Sequence, residues 1–539
     1  MDTETFEPET SPVPPPEPPR RRLAVNTAIF AFATALSRIA GLGREIAQAA
    51  YFATSAAASA FTLASQVPNL FSNLFSQAAL SAAFVPVFTE LLQQGKKREA
   101  FRVAATLFWI ILLALGSLTL LWMGVAHLVV PLFTGADIPA DLTAGLSQVL
   151  FPVVLLLSLT GLFVGILQAY DEFTIPALAP AVWNLVILIL LVVLHSQFHG
   201  ENQIYAYAIA WLIATIVQFF MVAATLRRIE FRLSFVLDWR DPRVRRVLIL
   251  FLPVTISIGI VNLDIFINAG FGSLVSSHAP AAINNAFRIY MLPQGIFSVA
   301  VATVLFPTLS RLAAHRNVGG IRRAVGNGTR QINLLLIPSA ALMAVLATPI
   351  TRLLYQHGNF GPLSTHLTAT ALFWFSFSLP FAGVNLLLTR TFFSVQRPWI
   401  PTKLAAMNMV VDVIVSLALY KPFGIAGLVI GTASANIVMT ALQLHRLRIG
   451  LNGRLEGGQT LMITVRIVLA TILMAAVAWV VWSALDSLLG RSVVAQILSV
   501  GIACAAAVAV YAKTVLWMRI PEAHQIQSLV VQRLRGAEA

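Results

Sequence analysis

Ionisable side chains are scarce inside the long apolar runs of this chain, so those that occur there are the residues whose chemistry needs a reason. The first run holds Ser37, Arg38, Arg44 and Glu45, and a later run holds Arg288 one helical turn after Asn284. Charge at membrane depth is costly and is kept where it faces a water-filled cavity or a partner. Arg38 and Arg44 are six residues apart, which sets them about 120° apart around a straight helix. Gly41 and Gly43 lie between them, and a glycine pair can kink a helix enough to turn both toward one cavity. Ser37 and Arg44 share a face without a bend, as do Asn284 and Arg288. In the second run, Asn69 follows Pro68. Pro68, Pro86, Pro293 and Pro307 bend helices or free backbone groups at the walls of such a cavity.

Two further carboxylates lie deep in apolar runs. Asp264 has Asn268 four residues on, and Asp412 sits in mid-run. Each either binds a coupling ion or pairs with an arginine. Arg390 lies near the end of its run, where a long side chain snorkels to the interface. The chain has no P-loop, HExxH, paired-cysteine or GxSxG pattern. Cys504 is its single cysteine, so no intrachain disulfide forms. These observations point to a transporter rather than an enzyme, with no cofactor beyond a coupling ion or the membrane potential.

The elements that carry these residues are transmembrane helices. Of 539 residues, 58% are hydrophobic and 11% charged, against about 25% charged in soluble domains. The reading is an all-α polytopic membrane protein with fourteen spans of helix length, among them 24–52, 57–92, 246–274, 279–310 and 331–354. The net charge of +14 does not signal nucleic acid, because the basic residues cluster in short connections such as Lys96 to Arg102 and Arg227 to Arg246. Their alternation along the chain sets both termini in the cytoplasm. The first 19 residues are acidic and proline-rich, a composition that does not fold. The triple arginine at 20–22 imitates a signal peptide, but the apolar stretch after it runs too long and carries charge, so a retained first helix is expected. Residues 522–535 have the spacing of a small interfacial helix.

Landmarks repeat at a distance of 221 to 225 residues: Pro68 with Pro293, Pro86 with Pro307, and Ile175-Pro176 with Ile400-Pro401. Each copy holds six spans, so the copies enter the membrane in the same sense as parallel repeats. The expected organisation is a tail (1–22), a first lobe (23–229), a cytoplasmic linker (230–245), a second lobe (246–449), two extra helices (450–518) and a second tail (519–539). Proteins built this way hold substrate between the lobes and rock one against the other.

The runs SRIAGLGRE, FTLASQVPNLFSNLFSQAALSAAFVPVF, FTIPALAPAVWN, FRIYMLPQGIFSVAVATVLFPTLSRL, LLYQHGNFG and TRTFFSVQRPWIPTK together resemble the MurJ (MviN) family over about residues 23 to 450. The resemblance implies a flippase fold of the multidrug/oligosaccharidyl-lipid/polysaccharide superfamily. It also implies lipid II, the undecaprenyl-diphosphate-linked peptidoglycan precursor, as substrate, the bacterial cytoplasmic membrane as location, and cell-wall synthesis proteins as partners. Family members bind the diphosphate with cavity arginines, whose positions match Arg38, Arg44 and Arg288 here. Arginine suits that task because its planar fork donates paired hydrogen bonds to phosphate. The sequence departs from the family where charged residues are usual, carrying Ser59, Ser72, Asn73 and Gln77 instead. The alternatives are a flippase for another polyprenyl-diphosphate saccharide, a drug or cation antiporter using Asp264 and Asp412, and a membrane scaffold that transports nothing. Deep arginines favour an anionic substrate and give a scaffold no reason to keep them.

Overall fold

The computed structural model describes residues 20–528 apart from 75, 76, 171, 173, 232, 398, 452–455, 491 and 526, and among these residues every regular element is a helix, without strands. The acidic N-terminal tail and most of the expected interfacial helix therefore lie outside the described residues. The helices are α1 (Arg20–Phe52), α2 (Ala56–Leu74), α3 (Gln77–Gln93), α4 (Lys97–Val129), α5 (Ala140–Leu150), α6 (Pro152–Ala169), α7 (Thr174–Leu194), α8 (Ile204–Thr225) and α9 (Pro242–Val275). They continue as α10 (Ala279–Pro293), α11 (Val299–Ala314), α12 (Val318–Val345), α13 (Ala347–Tyr355), α14 (Pro362–Ser394), α15 (Trp399–Phe423), α16 (Ile425–Gly450), α17 (Gly457–Leu489) and α18 (Val493–Trp517).

Ten helices or continuous helix pairs among the described residues are long and apolar enough to cross a membrane, and α12 with α13, bent by 77°, makes an eleventh. This is a multi-pass membrane protein. The other three expected spans fall on α1, on α2 with α3, and on α9. The span expected at 57–92 is two helices rather than one. The span at 279–310 is likewise interrupted, by a π-helical segment, Gln294–Ser298, directly after Pro293. A proline lacks the amide that would continue the ladder, so the chain rewinds locally. Pro68, by contrast, is carried inside α2.

Apolar packing gathers the helices into separate cores. Residues of α2 to α9 form two of them, around Phe84, Phe88 and Phe151 and around Phe61 and Tyr207. A third joins α10 to α16 around Tyr290, Leu372 and Phe375, and takes in Ala49 of α1 and Ala53 just beyond its end. The last pairs α17 and α18 on α12 through Leu334, Ile467, Met474 and Tyr511. Arg330 of α12 is buried here. It bonds Glu522 and, at 3.0 Å, Glu456, so it clasps the segments flanking α17 and α18 to α12. Outside the membrane, Asp241 caps α9 by accepting from the Arg243 amide at 2.8 Å.

Candidate functional site

α1 packs along α7, where Asn184 donates to the Ser37 carbonyl at 3.3 Å and to the Pro180 carbonyl at 3.0 Å. Gly41 faces the same Asn184 amide, which a Cβ there would meet at 3.6 Å, an ordinary packing distance. The arginines of α1 enter different surroundings. Arg38 is exposed, while Arg44 is 6% exposed and stacks its guanidinium over Trp183 at 5.0 Å and Trp211 at 5.4 Å. Such a cation over an indole face is attracted by the ring quadrupole. Arg38 and Arg44 thus lie in different surroundings along one helix.

Glu45 is the centre of the charge arrangement. It is buried, bonds Arg44, and lies 3.6 Å from the Nε of Arg288, whose side chain remains 42% exposed. One carboxylate of α1 therefore faces a guanidinium of its own helix and another from α10. Asn284 lies half-buried a turn before Arg288, and Asn69 is half-buried in α2.

Two of the departures from charged residues, Ser59 and Asn73, fall at helix contacts. Ser59 is fully buried and accepts from the Ala281 amide at 3.3 Å, in the first turn of α10. Asn73 donates to Asn262 of α9 at 2.6 Å. Ser72 is half-buried, and Gln77 opens α3. Close to Ser59 the two halves of the chain are stitched together. The Asn359 amide donates to the Ala50 carbonyl at 2.8 Å, its side chain donates to the Tyr51 carbonyl at 2.8 Å, and His278 donates to the Thr54 carbonyl at 2.6 Å. The Thr54 and Ser364 hydroxyls meet at 2.8 Å.

Asp264 and Asp412 occupy a second polar pocket between α9, α15 and α16. Asp412 is fully buried and accepts from Asn268 at 2.9 Å, Ser416 at 3.0 Å and Thr432 at 3.1 Å. Neither carboxylate pairs with an arginine among the described residues, which corrects that half of the alternative: hydroxyl and amide donors hold Asp412 instead. Asp264 Oδ1 and Asn408 Oδ1 are buried and accept no hydrogen bond. Two orphaned oxygens beside a carboxylate make an all-oxygen donor set that fits a hard cation. Arg390 has no ion pair among the described residues, and its guanidinium lies 5.9 Å from the Phe306 ring. A groove of about 1240 Å³ between α12, α14, α16 and α17 shares none of the residues selected from sequence.

Sequence reasoning missed Trp183 and Trp211, because a tryptophan in an apolar run reads as packing. It also missed Asn408, Ser416 and Thr432. Asn408, Asp412 and Ser416 follow one another at intervals of four, a polar stripe on an apolar helix that could have been seen.

The family model described as "Lipid II flippase MurJ" matches residues 48–489. A "Probable lipid II flippase MurJ" of Rhizobium meliloti (strain 1021) is 30% identical over 461 residues, 83% of this chain and 84% of the relative. The chain belongs to the MurJ family. A "Lipid II flippase MurJ" of Burkholderia cenocepacia is 28% identical over 73% of this chain and 78% of its own length. In fold, the chain is similar to a solved MurJ structure titled "inward closed conformation", with a TM-score of 0.76 at 22% identity, covering 92% of this chain and 100% of that one. An inward-facing multidrug resistance MATE family transporter of the MOP superfamily matches at TM-score 0.65 and 16% identity over 80% of this chain and 98% of its own. The MurJ fold thus supplies the scaffold on which Arg44, Glu45 and Arg288 meet.

Proposed function

We propose that this protein is a lipid II flippase, moving an undecaprenyl-diphosphate-linked precursor from the inner to the outer leaflet of the bacterial cytoplasmic membrane by alternating access. The observation that carries the reading is Glu45, a buried carboxylate facing Arg288 across the two halves of a MurJ-family chain. Without substrate, Glu45 neutralises Arg288. A diphosphate entering the cavity offers the half-exposed Arg288 and the exposed Arg38 a more highly charged partner with paired acceptors. Arg44, held between Glu45 and two indoles, positions the carboxylate rather than meeting the ligand. Cytoplasmic termini, as the basic connections suggest, put the stitched end of α1 and α2 outside, so substrate enters from the inner leaflet. This is transport and calls for no covalent chemistry.

Asp264 and Asp412 are proposed to hold a monovalent coupling cation, supported by the orphaned Asp264 and Asn408 oxygens. Bound there, the cation supplies positive charge that lets both carboxylates stay ionised side by side.

The test is replacement of a host's depleted lipid II flippase by this chain, with binding of undecaprenyl diphosphate to purified protein measured alongside. Growth rescue that is lost with Arg288→Ala at matched expression is the expected result. Rescue that survives Arg288→Ala, or proton-driven efflux of a cationic dye unaffected by it, would support the antiporter instead.

A further inference from the structure

A chain of hydrogen bonds runs from the acidic pocket to Tyr290 of α10, two residues beyond Arg288. Thr432 donates to Asp412 at 3.1 Å, and one turn along α16 Asn436 donates to the Thr432 carbonyl at 3.1 Å. The same Asn436 amide reaches across to the Ser378 hydroxyl of α14 at 3.0 Å. Ser378 then meets the Tyr290 hydroxyl of α10 at 3.4 Å. Asp412 and Ser378 are fully buried and Tyr290 nearly so. Buried polar groups that bond one another specify a single arrangement of their helices, because breaking any link strands a partner in apolar surroundings.

α10 is where this chain can act on the anion site. Tyr290 follows Arg288 by two residues, which sets them about 200° apart around the helix. Arg288 accordingly faces Glu45 and the cavity, while Tyr290 packs inward against Phe375 at 5.3 Å. A turn of α10 about its axis moves both. The helix is not continuous beyond this point, since Pro293 ends it and the π-helical Gln294–Ser298 follows. Ser298 is fully buried and its hydroxyl has no partner. A π segment beside a proline is a place where a helix can adopt a second winding, and so a two-state element that both sites can bias.

We propose that the seam Asp412, Thr432, Asn436, Ser378 and Tyr290 couples cation occupancy of the acidic pocket to diphosphate binding at Arg288. Both ligands favour the same setting of α10. The inference rests on the cation reading of Asp264 and Asp412 and adds the route and the residues of coupling. A cation drawing on the oxygens of Asp412 and Thr432 resets the Thr432 to Asn436 turn, and Ser378 and Tyr290 pass the change to α10. Linkage makes the effect reciprocal: each ligand raises the affinity of the other by one common factor.

The experiment uses the full chain in nanodiscs, with sodium as the cation and undecaprenyl diphosphate as the anion. Sodium affinity is read by ²³Na NMR, and lipid affinity by titration at fixed ionic strength with N-methylglucamine replacing sodium. In the native protein, saturating sodium should tighten lipid binding at least about fivefold, the lower range of measured couplings, and saturating lipid should tighten sodium binding by the same factor. Asn436→Leu and Tyr290→Phe should each leave the affinity for either ligand alone within about twofold and reduce the coupling factor toward one. Should Asn436→Leu not fold, Tyr290→Phe and Ser378→Ala carry the same test with smaller changes. A coupling factor that stays native in the folded variants means that the seam is only packing glue between helices, and overturns the inference. So does a native factor of one with both ligands bound, which leaves the cation reading standing. Sodium binding that is absent, or indifferent to Asp412→Asn, removes the cation reading and the inference together.

Discussion

Glu45 has two guanidinium partners, and only one of them can be taken from it. Arg44 is locked by its indoles, whereas Arg288 is half exposed. A substrate phosphate must therefore compete with Glu45 for Arg288, and Glu45 competes for Arg288 again when substrate leaves. Replacement by glutamine keeps the shape and removes the competitor. Glu45→Gln is expected to tighten undecaprenyl diphosphate binding about tenfold, the equivalent of 1.4 kcal/mol, while slowing flipping, because release loses its driving partner. Binding that weakens instead would show that Glu45 only staples α1 to α10. Arg288→Lys should recover a fraction of flipping, since lysine keeps the charge and loses the fork. At this scale the sequence was informative for a plain reason. Arg44, Glu45 and Arg288 stand out because membrane depth makes their charge costly. Trp183 and Trp211 do not, because their meaning depends on α7 and α8 folding back beside α1.

α15 and α16 are packed close enough that Gly431 has no room for a side chain. A Cβ there would come within 2.1 Å of Ser416 Oγ and 2.8 Å of Asp412 Oδ1. Gly501 of α18, in contrast, faces open space. Alanine normally favours a helix over glycine by about 1 kcal/mol, so the same substitution should act in opposite senses. Gly501→Ala is expected to leave thermal stability unchanged or raised, while Gly431→Ala lowers it by about 1 to 3 kcal/mol, the range of overpacking, and abolishes sodium binding. Equal effects at the two sites would mean that the acidic pocket yields easily. α9 offers a pH prediction at its N-terminal cap. The hydrogen bond from Arg243 holds the Asp241 carboxyl below the usual carboxylate range, with its own backbone cap adding to the effect. A depressed folded pKa means that the contribution is present above the unfolded value and is lost as pH falls through the folded one. Asp241→Ala should cost about 1 kcal/mol at pH 7, and the gap from native protein should close on acidification below about pH 4. A gap that widens instead would contradict the assignment. Apolar length revealed that helices cross at these places but not that some are broken. The bend between α12 and α13 comes at Leu346, three residues before Pro349, a signal that an apolar count passes over.

Across the whole molecule, α9 packs along α2 and α3, and a separate cluster of polar contacts joins the two halves of the chain at the end of α1 and the start of α2. Ala50, Tyr51, Thr54 and Ser59 there meet His278, Ala281, Asn359 and Ser364. The repeat at 221 to 225 residues predicts two lobes, but which end they close could not be read, because these contacts are backbone carbonyls and small hydroxyls without a sequence signature. Their chemistry suits a seal that must open. They are short and polar, so breaking them exposes groups that water can satisfy at once. If substrate leaves through this end, a covalent tie across it must stop transport at a defined point of the cycle. Thr54, in the turn between α1 and α2, and Ser364 of α14 are placed for the tie, with their hydroxyls 2.8 Å apart although 310 residues separate them in sequence. In a Cys504→Ala background, Thr54→Cys with Ser364→Cys should crosslink under mild oxidant, abolish flipping and recover it on reduction, while each single cysteine stays active. Binding of undecaprenyl diphosphate should survive the crosslink, because Arg38 and Arg288 remain reachable from the other end. An oxidised protein that flips at the native rate would show that this end never opens, and the rocking of one half against the other would have to be replaced by a path along the lipid-facing side.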